Sequence, residues 1–132
     1  MVVVDSSVLV NACGDDHEAG DAARRRLASD PDAHAPHLVD IEVLSALRRW
    51  AARGTISLAR ALEAIDDLAD APLQRWNHVP LARRVWELRD NVTPYDASYV
   101  ALAETFGCPL VTNDRRLARV RGLGCEVELL SP

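Results

Sequence analysis

MVVVDSS, residues 1–7, decides how the rest of the chain is read. Three consecutive valines make a strand with no polar face, and such a strand belongs in the interior of a parallel sheet. The run stops at a single carboxylate, Asp5. Ser6 is a suitable cap for the next segment, because Val8, Leu9, Val10 and Ala12 open a helix. A charged group therefore stands at the carboxyl end of the central strand, where open α/β sheets bind ligands. Asp5 is either a helix cap or the first member of a site, and its own neighbourhood leaves both open.

A length of 132 residues leads us to expect one domain, 1–132, with a buried core. A composition of 48% apolar and 27% charged residues argues against disorder. No apolar run approaches the roughly 20 residues that span a bilayer, so no membrane association is expected. The N-terminus has no basic stretch ahead of an apolar one, and the expected location is cytoplasmic. Cys13, Cys108 and Cys125 lack C-x-x-C spacing and are expected to be reduced and mostly buried. His17, His34, His37 and His78 form no metal-binding pattern, which argues against zinc. The net charge is −5, and all 15 cations are arginine. Mechanisms that need a lysine are excluded, and any binding of nucleic acid requires local arginine patches.

Downstream, Glu18–Ala28 reads as an amphipathic helix with Arg24, Arg25 and Arg26 largely outward. Ala33–Ala35 is a short strand. His37–Arg53 and Leu58–Ala69 are two helices, the first ended by Gly54 and the second capped by Ser57. They form a hairpin with apolar stripes that include Leu58, Leu62, Ile65 and Leu68. Leu73–Trp76 is a strand and Leu81–Arg89 a helix. In TPYDASYVALAE, 93–104, Thr93 caps a helix and Pro94 takes its first position. Leu110–Thr112 is a strand, a basic helix covers Asp114–Val120, and Glu126–Leu130 is a last strand. Strands alternating with helices predict an α/β fold with a mainly parallel sheet, into which the hairpin is inserted.

Four carboxylates recur at one kind of place. Asp5 and Asp114 follow strands, and if those strands are parallel they share an edge of the sheet. Asp96 and Glu42 lie early in helices that begin at that edge. Asp40 competes with Glu42, but a separation of some 200° around the helix lets only one face the site. Two carboxylates ~4 Å apart repel by about 4 kcal/mol at an effective dielectric near 20. A hard divalent cation relieves that repulsion, with Mg²⁺ or Mn²⁺ the natural choice. Such a site suits phosphodiester hydrolysis by metal-activated water. Taken singly, Asp96 also fits the acidic position of a capping box and Asp114 a helix start.

VVVDSSVLVNA, DIEVLSALRR, TPYDASYVALAE and LVTNDRRL together resemble the PIN-domain family, and within it the VapC-type toxins of toxin–antitoxin pairs. The resemblance implies a three-layer α/β sandwich with helices on both faces of the sheet. It implies that Asp5, Glu42, Asp96 and Asp114 hold Mg²⁺ or Mn²⁺, with Ser6 and Thr112 orienting the site. It also implies a metal-dependent endoribonuclease, a homodimer, and a small antitoxin protein as partner. The expected products carry 5′-phosphate and 3′-hydroxyl ends.

Arg115 and Arg116 oppose the dipole of the helix they open, which points to RNA phosphate contacts beside Asp114. Arg48, Arg49 and Arg53 are a second candidate surface, against the simpler reading of a solvated helix face. The hairpin surface along Leu58–Leu68 is a candidate groove for an antitoxin helix. Phosphoaspartate proteins also place an Asp after the first strand, but they typically use a lysine, and this chain has none. A PIN fold that only binds RNA or a partner remains the alternative to the enzyme.

Overall fold

The computed structural model describes residues 1–131. Its sheet has five strands: β1 (Val2–Val4), β2 (Ala33–Pro36), β3 (Leu73–Trp76), β4 (Leu110–Thr112) and β5 (Val127–Leu129). All neighbours pair in parallel, in the order β3-β2-β1-β4-β5. The valine run is thus the central strand and is fully buried. Val2 and Val4 meet one core with Ala33 and Val111, and Val3 joins the other. The intervening segments are α1 (Ser6–Gly14), α2 (Glu18–Ser29), α3 (Leu38–Ala52) and α4 (Leu58–Asp70). After β3, a 3₁₀ turn at Val79–Leu81 leads into α5 (Ala82–Glu87), followed by α6 (Pro94–Phe106) and α7 (Arg115–Ala118).

Val8 of α1 and Ala23 of α2 cover the Val2 and Val4 face. On the opposite face α6 packs across β1, β2 and β4, with Ala97, Tyr99, Val100 and Ala103 at zero exposure. That explains the near-continuous apolar composition of α6. It is a core helix, not an amphipathic one. Gly107 closes it with φ +63°, the left-handed conformation that favours glycine.

α3 and α4 both pack on α1. Gly14 permits this approach, since a Cβ there would lie 3.1 Å from Leu47 and 3.2 Å from the Trp50 ring. α4 turns Ala61, Ala64 and Leu68 inward. Leu58 and Leu62, expected in the buried stripe, are 76% and 64% exposed. Small residues let α4 sit close to α1, and the two leucines project past that contact.

Asp5, not Ser6, is the N-cap of α1: Asp5 Oδ1 accepts the Ser7 and Val8 amides at 3.1 and 3.2 Å. Ser6 is the first helical residue. Arg24 and Arg26 are also not simply outward. Arg24 donates to the carbonyls of Ala12 and Asp15 at the end of α1, and Arg26 forms a bidentate pair with Glu128 on β5.

Candidate active site

Parallel pairing of β1 with β4 puts Asp5 and Asp114 just beyond adjacent carboxyl ends. The two strand ends are laced together by side chains. Thr112 is fully buried, donates its hydroxyl to Asp5 Oδ2, and accepts the Asp114 amide at 2.9 Å. Ser7 donates its hydroxyl to Asp5 Oδ1 and accepts the Asn113 amide at 2.9 Å. Asn11 Nδ2 donates to Asn113 Oδ1 at 3.2 Å. Ser7 is therefore the serine that fixes Asp5, because an N-cap carboxylate reaches the second helical residue.

Asp5 is 5% exposed. Burial pushes its carboxyl up to about 6, against the opposing hydrogen bonds from Ser7, Thr112 and Val8, and the charge of Asp96 adds to the rise. Glu42 is half-buried, and its Oε1 accepts the Tyr99 hydroxyl at 2.6 Å. Burial raises its carboxyl above the usual range, and Asp96 again contributes. Ser6 stands beside this Glu42–Tyr99 pair. Tyr99 was not singled out in the sequence. It lies three residues after Asp96, the spacing that puts two side chains on one helix face.

Asp96 is the hub. Thr93 Oγ1 caps α6 through the Asp96 amide at 3.3 Å. The carboxylate does not return the bond, so only half of a capping box forms. Among the described residues no hydrogen-bond donor reaches that carboxylate. Burial and the charge of Asp114 raise it, partly offset by Arg116. Asp114 caps α7, its Oδ1 accepting the Arg116 amide at 2.8 Å. The Arg116 guanidinium reaches the same oxygen only at 3.5 Å and is almost fully exposed. Arg116 shares a cleft with Asp96 and Asp114, whose lining does not include the exposed Arg115. Asp40 is no competitor for Glu42: it pairs with Arg75 of β3 at 2.7 and 2.9 Å.

Asp5, Glu42 and Asp114 thus each share a like-charge repulsion with Asp96. Among the described residues no three His, Cys, Asp or Glu side chains form a ready-made metal cage. A half-buried carboxylate with no donor, among neighbours of like charge, fits a hard cation that retains water and takes few protein ligands. The donor set is all oxygen, which suits the same class of ion.

An open parallel α/β sheet with carboxylates at one carboxyl edge defines a class of acidic-site α/β proteins. The chain belongs to the PIN domain family, whose model matches residues 2–123. Ribonuclease VapC9 of Mycobacterium tuberculosis is 39% identical over 130 residues, 98% of each chain. Ribonuclease VapC1 of the same organism is 43% identical over 129 residues, 97% of this chain and 96% of that one. The fold also matches a structure of VapBC2 from Rickettsia felis bound to a DNA fragment from their promoter. That match has TM-score 0.72 and 15% identity, and covers 99% of this chain and 100% of that one.

Proposed function

We propose that this chain is an endoribonuclease toxin of the VapC kind, dependent on Mg²⁺ or Mn²⁺. The observation that carries the reading is the unpartnered Asp96 carboxylate amid Asp5, Glu42 and Asp114. These four residues would hold the ion. When bound, it lowers the pKa of a water and neutralises charge on the phosphoryl group. Thr112 and Ser7 fix Asp5, Tyr99 fixes Glu42, and Thr93 fixes the start of α6. The acids therefore need little rearrangement before reaction. Arg116 supplies a cation to RNA beside Asp114.

The VapC relatives are named as ribonucleases, and the Rickettsia felis structure is a VapBC complex. By that likeness a small antitoxin protein is the partner. A groove of about 410 Å³ between α3 and α4, lined by Leu44, Leu47, Leu58 and Leu62, offers it an apolar seat. A homodimer belongs to the same reading. No described helix is long and apolar enough to cross a membrane. The free thiols of Cys13, Cys108 and Cys125 suit the reducing cytoplasm.

The test is incubation of the purified chain with a mixed RNA pool. Cleavage is expected with Mn²⁺ or Mg²⁺, leaving 5′-phosphate ends, and should vanish with chelator and in Asp96→Asn. Activity that survives both treatments would refute the metal mechanism. A folded, metal-loaded chain that binds RNA without cutting it would mark a binding protein instead.

A further inference from the structure

Three of the four carboxylates line two clefts. One, of about 250 Å³, holds Asp96 and Asp114 with Arg116 on its wall. The other, of about 340 Å³, is walled by Ser7 and Asn11 of α1 and by Glu42, Ser45, Arg49 and Trp50 of α3. Glu42 accepts the Tyr99 hydroxyl at 2.6 Å, and Tyr99 lies one turn after Asp96 on α6, so the clefts flank that pair. The α3 residues fall at i, i+3, i+7 and i+8, along one face of the helix. Arg49 stands about 10 Å along the axis from Glu42.

Arg49, unlike Arg48 on the same helix and Arg53 at its C-cap, lines this cleft. Arg24, Arg26, Arg60, Arg75 and Arg84 are each paired with a carboxylate. Among the described residues Arg49 has no acidic partner. Its Nη1 donates to Ser45 Oγ at 3.1 Å, which leaves most of the guanidinium fork free. Trp50 is half-buried, and among the described residues its indole N–H has no acceptor. A chain of net charge −5 repels RNA as a whole, so an uncommitted guanidinium beside the acidic site is what a phosphate needs. An adjacent aromatic ring is what an unstacked base needs.

We infer that this cleft is a nucleotide subsite for single-stranded RNA next to the cleaved bond, an assignment that rests on the ribonuclease reading of the acidic site. Arg49 holds a flanking phosphate, Trp50 contacts the base, and Asn11 and Ser45 offer it hydrogen bonds. The arrangement explains why α3 carries Glu42 and Arg49 on one face.

The test measures binding of a short fluorescent single-stranded RNA to the Asp96→Asn chain by anisotropy, between about 50 and 200 mM salt. Arg49→Gln should weaken binding about 10-fold. It should also flatten the dependence of log Kd on log salt by about 0.7, the loss of one phosphate contact. Trp50→Ala should weaken binding by roughly 5- to 150-fold, and Trp50→Phe by less. Trp50 packs on Gly14, so thermal melts accompany both, and the exposed Arg49→Gln carries the decision if Trp50→Ala unfolds. Arg25→Gln, on α2, should leave affinity and salt slope unchanged. Wild-type affinity and slope in Arg49→Gln would overturn the subsite, as would an equal loss in Arg25→Gln. Wild-type cleavage of the same RNA with Mn²⁺ is run alongside. Failure to cut refutes the nuclease reading, whereas cutting with unchanged Arg49→Gln binding refutes only the subsite.

Discussion

Asp5 performs two tasks with two oxygens. Oδ1 caps α1 and Oδ2 takes the Thr112 hydroxyl, so capping the helix also ties Asp5 to the end of β4. Deleting the carboxyl is therefore not harmless to the fold. Asp5→Ala leaves two amides and two hydroxyls without their acceptor and should be about 1–2 kcal/mol less stable than Asp5→Asn in urea unfolding. Asp5→Asn keeps an acceptor and removes the charge. The folded carboxyl titrates at about 6, above its ordinary 3.8, so the native state binds more protons than the unfolded state between those values. Stability contributed by Asp5 therefore falls as pH rises through that window. In chelator at pH above about 7, Asp5→Asn should be the more stable chain, by at most about 3 kcal/mol. The advantage should shrink toward zero as pH falls to about 4, and a pH-independent gap would contradict this account. Tyr99 acts on Glu42 in the same indirect way. Tyr99→Phe should raise the Mn²⁺ concentration needed for half-maximal cleavage by 10- to 100-fold, on the order seen when such orienting groups are lost. Neither Ser7 nor Tyr99 stands out in sequence, because a serine in a helix's first turn and a tyrosine in an apolar helix both have ordinary structural uses.

At the scale of elements, α3 shows how two nearby acids part company. Asp40 faces β3 and clamps Arg75, whereas Glu42 faces α6 and Tyr99. Substituting each should separate stability from chemistry. Asp40→Asn should lose about 1–3 kcal/mol of unfolding free energy and keep cleavage. Glu42→Gln should keep stability and lose cleavage. Parallel loss of both properties in either variant would mean that the two faces of α3 are not independent. The sequence carried enough to show that only one of the pair can face the site, but not which, since the choice depends on where β3 lies. β1 and β4 were legible because they are short apolar runs, one ended by Asp5 and the other opened after Pro109, and the caps Thr93 and Ser57 are plain. The outward leucines of α4 were not legible. Helical periodicity defines a stripe, but the neighbour decides which part of it is covered, and here the small residues Ala61 and Ala64 meet α1.

At the scale of the molecule, the sheet order turns a linear pattern into a charge problem. A central β1 was foreshadowed by three valines with no polar face, whereas its pairing with β4 was not. That adjacency brings Asp5 and Asp114 to one edge, and α6 delivers Asp96 between their charges. The number of acids was readable from the chain. Their state was not, because burial and the absent capping-box return at Asp96 are products of the packed fold. Without a cation the molecule bears the cost of like charges held together, and binding one should be read as stability. At a Mn²⁺ concentration of about 100 times its Kd, the folded state gains about 2.7 kcal/mol. For a domain of this size that should raise Tm by roughly 5–15 °C. Differential scanning fluorimetry should show the rise in the wild type, its reversal by chelator, and its loss in Asp96→Asn. The same variant, freed of one repelling charge, should melt above the wild type when both are metal-free. An equal Mn²⁺ shift in wild type and Asp96→Asn would mean that the ion binds away from the carboxyl edge.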